Sequence, residues 1–180
     1  MNDEDNDKTT ESPKTEPAPT PLISAADVPI ADRPTVHIPE ERVYPLSEHA
    51  RQIAETWSGT SRDHLTGLLG EDGVAKRLGI AEQLDVEVYT DGGDGGTDLR
   101  YRGATIDVKT VGRHRSNPDL TVDAYSPLNA DYYALASRIG ETDIRLIGYA
   151  PRDFVANAPT FRYEDRPYHC VEQEYLFPFF

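Results

Sequence analysis

The sequence predicts an α/β chain of the α+β kind, with one central mixed β-sheet flanked by helices and an acidic, disordered tail in front. Composition changes sharply near residue 42, two helical stripes follow over 47–78, and from residue 84 short alternating strands are separated by glycine turns. A length of 180 residues suits one domain with a tail.

Residues 1–41 hold ten acidic and three basic side chains, seven prolines and no aromatic ring. Such a segment buries too little apolar surface to offset chain entropy. The composition therefore reads 1–41 as the tail, disordered at least to about residue 30, and 42–180 as the folded domain. No apolar run resembles a signal peptide or a membrane span, which predicts a cytoplasmic protein with no membrane partner. Cys170 is the single cysteine, so intramolecular disulfides and four-cysteine metal clusters are excluded. The five histidines show no zinc spacing.

The net charge is −14, half of it in 42–180, where the basic residues are 13 arginines and only two lysines, Lys76 and Lys109. Few lysines and a pI near 4.6 point to a halophilic cytoplasm, of an archaeon or a virus of one; an ordinary acidic protein is the plainer alternative. The difference bears on nucleic acid. At low salt such a protein is repelled by DNA, but at about 1 M salt the Debye length is roughly 3 Å and only contact-range groups count.

A helix is expected over 47–57, capped by Ser47, with Ala50, Ile53, Ala54 and Trp57 on one stripe. Thr60 or Ser61 caps a second helix to Leu78, closed by Gly79, although Gly70 and Gly73 weaken its interior. Residues 84–90 alternate as a strand, and 91–96 (Asp-Gly-Gly-Asp-Gly-Gly) can only be a loop. Two short strands around a Gly turn fill 98–111. The polar stretch 112–129 reads as a mobile loop or poorly ordered connection. Strands over 132–139 and 144–149, a short helix over 151–156 and an apolar tail docking on the core complete the chain. Tyr132 and Tyr133 read as rim and core strand residues.

The stretch 98–109 reads Asp-Leu-Arg-Tyr-Arg-Gly-Ala-Thr-Ile-Asp-Val-Lys. In a strand, Asp107 and Lys109 share a face, and Asp98 enters from the neighbouring strand. Two carboxylates and an ammonium on a sheet face that should be apolar point to a metal ion and an anionic substrate. An ordinary ion pair between Asp107 and Lys109 is the plainer reading. On the preceding helix Glu71 lies at i+4, i+3, i−3, i−4 and i−7 from Gly67, Leu68, Val74, Ala75 and Leu78, on the apolar stripe. There it either reaches solvent at the stripe edge or must be paired, protonated or bound to a cation. The glycine loop comes close to a calcium-binding repeat, but it occurs once and Thr97 stands where an Asp is required. Asp94 is the fallback should Asp98 lie a turn away. Arg113, His114 and Arg115 follow the lysine strand, as DNA-phosphate contacts or as a solvated loop.

These residues resemble the PD-(D/E)XK nuclease superfamily, the restriction-endonuclease-like fold, over roughly residues 60–160. Thr97-Asp98 stands for its Pro-Asp element, with Thr in place of Pro. Asp107-Val108-Lys109 stands for its acidic-x-Lys element, and Gly70-Glu71 for its preceding acidic helix. The Gln-x-x-x-Tyr helix and cysteine cluster of one exonuclease branch are absent. The resemblance implies a metal-dependent deoxyribonuclease with Lys109, Asp107, Asp98 and Glu71 as catalytic residues. It implies Mg²⁺ or Mn²⁺ held by Asp98 and Asp107 with a neighbouring main-chain carbonyl, and by Glu71 directly or through water. Lys109 would orient the attacking water and neutralise the scissile phosphate. DNA is the implied partner, with Arg113 and Arg115 as contacts, and a homodimer is implied because many relatives pair. The alternative is an inactive nuclease-fold protein serving as a DNA- or protein-binding subunit.

Overall fold

A computed structural model describes residues 24–83, 97–112 and 118–179. Among these residues eight strands build two sheets, accompanied by three α-helices. After a 3₁₀ turn at Ala25–Asp27 come β1 (Thr35–His37), α1 (Glu40–Thr56) and α2 (Ser61–Leu78). Strands β2 (Leu99–Tyr101), β3 (Ala104–Val111), β4 (Leu120–Asp123), β5 (Tyr132–Arg138) and β6 (Asp143–Pro151) follow. Helix α3 (Arg152–Asn157) and the hairpin of β7 (Thr160–Tyr163) with β8 (Arg166–Val171) end the order. No helix among the described residues is long and apolar enough to cross a membrane.

The fold is α+β. The main sheet is mixed, in the order β1-β6-β5-β3-β2, with β3 and β5 parallel and the other pairs antiparallel. One face carries Ile106, Val108, Ala134, Ile144 and Leu146 into a core with Leu68, Leu69 and Val74 of α2. The opposite face carries Tyr133, Leu135 and Ile147 into a second core with Leu120, Val122 and Val155. The sheet β4-β8-β7 thus covers the side that the two long helices leave open.

Helix α2 follows its sequence signals closely. The Thr60 side chain accepts from Asp63 N at 3.2 Å and Asp63 Oδ2 accepts from Thr60 N at 3.2 Å, a complete capping box. The helix runs unbroken through Gly70 and Gly73, because both are contact surfaces. A Cβ on Gly70 would lie 1.8 Å from Thr110 Oγ1, and one on Gly73 would lie 2.9 Å from Ile144 Cγ2. The helix therefore lies closer to β3 and β6 than any side chain would allow.

Several expectations are corrected. Helix α1 begins at Glu40, not 47, and contains Pro45. Ser47 is no cap; its hydroxyl donates to Val43 O at 2.8 Å. Burial of Leu46 and Ala50 and the bond from Arg42 Nε to Asp72 Oδ1 hold the first turns despite the missing Pro45 N–H. Residues 24–41, placed with the tail by composition, pack onto the domain. Ala25 and Ile38 are fully buried, and β1 pairs with β6 through Thr35↔Arg145 and Val36↔Ile144. Within 112–129, residues 120–123 form β4, with Leu120 and Val122 buried against β8, about fifty residues on. The C-terminal segment docks as expected: Leu176 is buried and Phe177 bridges Tyr149. The expected strand over 84–90 and loop over 91–96 lie outside the described residues, as do residues 1–23.

Gly70→Ala should destabilise the protein by about 2–3 kcal/mol, as overpacking does, although alanine is the better helix former. Adding Thr110→Ala should recover part of the loss. Denaturation midpoints in molar KCl check both, and an unchanged midpoint for Gly70→Ala contradicts the close seam.

Candidate active site

Strands β2 and β3 form a hairpin whose register, Leu99↔Ile106, brings Asp98 alongside Asp107. Asp98 N donates to Ile106 O at 2.9 Å. Just beyond the end of β2, the Asp98 side chain takes over the pairing: its Oδ2 accepts from Val108 N at 2.6 Å. The carboxyl thereby occupies a place that a neighbouring strand's carbonyl would fill in a continued ladder.

Strand β3 puts Asp107 and Lys109 on one face, as the alternation predicts. Lys109 Nζ donates to Asp107 Oδ1 at 2.6 Å, and the Asp107 side chain is the more buried of the two. Tyr133, in register with Asp107 on parallel β5, stands on the same face and is almost wholly buried, while Tyr132 lies at the rim. The even-numbered Ile106 and Val108 face α2. One strand therefore serves a core with one side and charges with the other.

The electrostatics follow from crowding. Burial pushes the Asp98 carboxyl well above the ordinary carboxylate range, and the charges of Glu71 and Asp107 push it further. The Val108 N–H and Lys109 pull the other way without prevailing. For Lys109, burial is the largest single influence and acts downward, but attraction and hydrogen bonding to Asp107, with help from Asp98, leave the ammonium raised. Burial raises the Tyr133 phenol as well, with Asp107 contributing.

Glu71 comes from the middle of α2, half-buried, its carboxylate lying back toward Gly67 and close enough to Asp98 to oppose that group's charge. The next residue was missed by sequence reasoning. Asp72 is fully buried, accepting from Arg42 Nε at 2.9 Å and lying 3.8 Å from Lys76 Nζ. Its i,i+4 spacing to Lys76, one of the domain's two lysines, was the available signal. Asp72 ties α1 to α2, and Lys76 is committed to it. Asp94, Arg113, His114 and Arg115 lie outside the described residues.

No protein-family profile, characterised protein or solved structure matches this chain.

The site must therefore be judged on its own chemistry. Among the described residues no group of three or more His, Cys, Asp or Glu side chains is already arranged around a metal position. The donor set nonetheless suits a hard divalent cation: three carboxylates, of which Asp98 resists ionisation because it is buried and because the other two crowd it. Lys109 holds one Asp107 oxygen and Val108 N–H holds one Asp98 oxygen, and each carboxyl has a second oxygen with no hydrogen bond among the described residues. A cation between these oxygens would offset both the burial of the Asp98 charge and the repulsion that adds to it.

Because the folded protein raises Asp98 above its unfolded value, its contribution to stability is full at low pH and is lost as pH rises through the folded value. Asp98→Asn keeps an acceptor for Val108 N–H without the charge. In metal-free buffer it should be the more stable protein at pH 7–8, with the gap closing as pH falls below the ordinary carboxylate value of about 4. Thermal melts across that range check the sign; a variant less stable at neutral pH contradicts it.

Proposed function

We propose that this protein is a metal-dependent nuclease that hydrolyses DNA phosphodiester bonds by attack of water, without a covalent enzyme intermediate. The observation that carries the reading is the juxtaposition at the end of the β2–β3 hairpin: Asp98 on Val108 N–H, Asp107 on Lys109, and Glu71 close enough to raise Asp98. The resemblance of Thr97-Asp98 and Asp107-Val108-Lys109 to PD-(D/E)XK nucleases supports it.

Asp98 and Asp107 would hold Mg²⁺ or Mn²⁺, with Glu71 completing the set. Such a cation, when bound, lowers the pKa of water and offsets charge that builds up on the phosphate oxygens. Lys109 stays protonated across the physiological range, since its neighbours raise it. Its ammonium can leave one Asp107 oxygen for a phosphate oxygen or the attacking water, a change of partner over a short distance. A compact point charge suits that position better than a planar guanidinium fork. Tyr133, buried beside Asp107 with its phenol kept neutral, walls the site on the side of β5. Glu71 acts at a distance on Asp98, opposing its charge until a cation compensates both.

Purified full-length protein in molar KCl should cleave linear, circular or single-stranded DNA when Mg²⁺ or Mn²⁺ is added. Lys109→Ala and Asp107→Asn should each lose about a hundredfold or more. Mg²⁺ should also raise the melting temperature of the wild type more than that of Asp98→Asn. Equal background from all proteins in every metal sinks the reading. DNA retention without cleavage would mark a binding subunit instead.

A further inference from the structure

Between the C-terminal half of α2, the β2–β3 turn and the last residues of the chain lies a cavity of about 530 Å³. Val74 and Leu78 form its helical wall, and the rings of Tyr101, Tyr132, Tyr149 and Phe179 form much of the rest. Tyr149 is the hub of these rings, with Tyr132 edge-on at 6.1 Å and Phe179 tilted at 5.4 Å. The size and the aromatic lining are those of a small-ligand site.

Arg102 stands among the lining residues, in the turn. It takes the first central position at φ 50°, followed by Gly103 at φ 87°. Two positive φ values in succession make a primed hairpin turn, where Asn, Asp or Gly fits the first place and arginine is strained. The guanidinium carbon lies 5.1 Å from the centroid of the Tyr101 ring, and Arg102 makes no ion pair among the described residues. A cation with no ion pair among the described residues, kept at a strained position beside an aromatic cavity, is placed to receive an anion with a flat apolar body.

We propose that this cavity binds a nucleotide unit, its base among the tyrosine rings and its phosphate on Arg102. The choice of ligand rests on the nuclease reading above. The cavity lies on the α2 side of the sheet, where Ile106 lines it, whereas Asp107 and Lys109 face the other way; its link to the carboxylates runs along α2, where Val74 follows Glu71 by nearly one helical turn. A stacked base in duplex DNA cannot enter; an unpaired one can. The nucleotide is either free or part of a single strand, and both share the same chemistry.

The test is equilibrium dialysis of full-length protein, without divalent metal and in molar KCl, against dAMP, a single-stranded oligodeoxyadenylate and a blunt duplex. Arg102→Gly is the first variant, because glycine adopts the turn freely and should leave the melting temperature equal or higher. Ala104→Trp, which fills the cavity, is the second. The wild type should bind saturably, with affinity about tenfold weaker in Arg102→Gly and lost in Ala104→Trp. Equal binding of dAMP and oligonucleotide identifies a free nucleotide, and binding of the oligonucleotide alone identifies a single strand. Binding of neither, or wild-type affinity in both variants, overturns the proposal. DNA cleavage lost in Asp107→Asn, with no nucleotide binding, removes this pocket and leaves the nuclease. Nucleotide binding lost in Arg102→Gly, with no cleavage in any metal, removes the nuclease and leaves the pocket.

Discussion

The close seam between α2 and the sheet is the constraint on which the rest depends. Gly70 meets Thr110 and Gly73 meets Ile144, so the helix axis sits low over β3 and β6. That height decides what the residues between and beside the glycines can do. Glu71 reaches the surroundings of Asp98, while Asp72 is sealed completely and must be neutralised by Arg42. A helix raised by one methyl layer would loosen both relationships. Some polar satisfaction is given up at the seam, since Thr110 Oγ1 is buried without a hydrogen bond among the described residues.

Charge is distributed in the domain by partner, not by count. The two lysines of the folded region have separate tasks: Lys76 lies by the sealed Asp72, and Lys109 bonds to Asp107 on the other face of the sheet. The arginines mostly fasten backbone carbonyls and loop carboxylates, as Arg138 does on Gly140 and Glu141 and Arg152 on Ala130. The group around Asp98 differs from these pairs. Burial and neighbouring carboxylates raise Asp98 there while Asp107 raises Lys109, and that concentration of perturbed groups makes it a candidate for chemistry.

Legibility from sequence followed the range of the interactions. The β2–β3 hairpin, the capping box of α2, and the shared face of Asp107 and Lys109 rest on period, turn and cap signals within a dozen residues, and the structure has them as read. The small sheet was missed because β4 finds its partner β8 about fifty residues later, and four residues of alternation are too few to announce a strand. The start of α1 was missed because Pro45 argues locally for a break, whereas Leu46, Ala50 and Asp72 argue for a helix through contacts invisible in one dimension. Likewise β1 hides in a proline-rich acidic stretch and exists through its pairing with β6. Glu71 was placed from its stripe, yet the fully buried carboxylate proved to be its neighbour, a rotation of one residue that helical periodicity resolves poorly.

The two positive φ values at Arg102 and Gly103 set the pleat of everything that follows in β3. A single residue inserted into or deleted from this turn would exchange the strand's two faces, turning Asp107 and Lys109 toward Leu69 and Val74 and sending Ile106 and Val108 to the charged side. The two cores and the shared face of Asp107 and Lys109 would be lost in the same event. The turn at Glu164 and Asp165 carries no such burden, because β7 is exposed at all four positions and borders only the small sheet. An extra residue is therefore far better accommodated at the β7–β8 tip than in the β2–β3 turn, whose two-residue count the strand faces depend on.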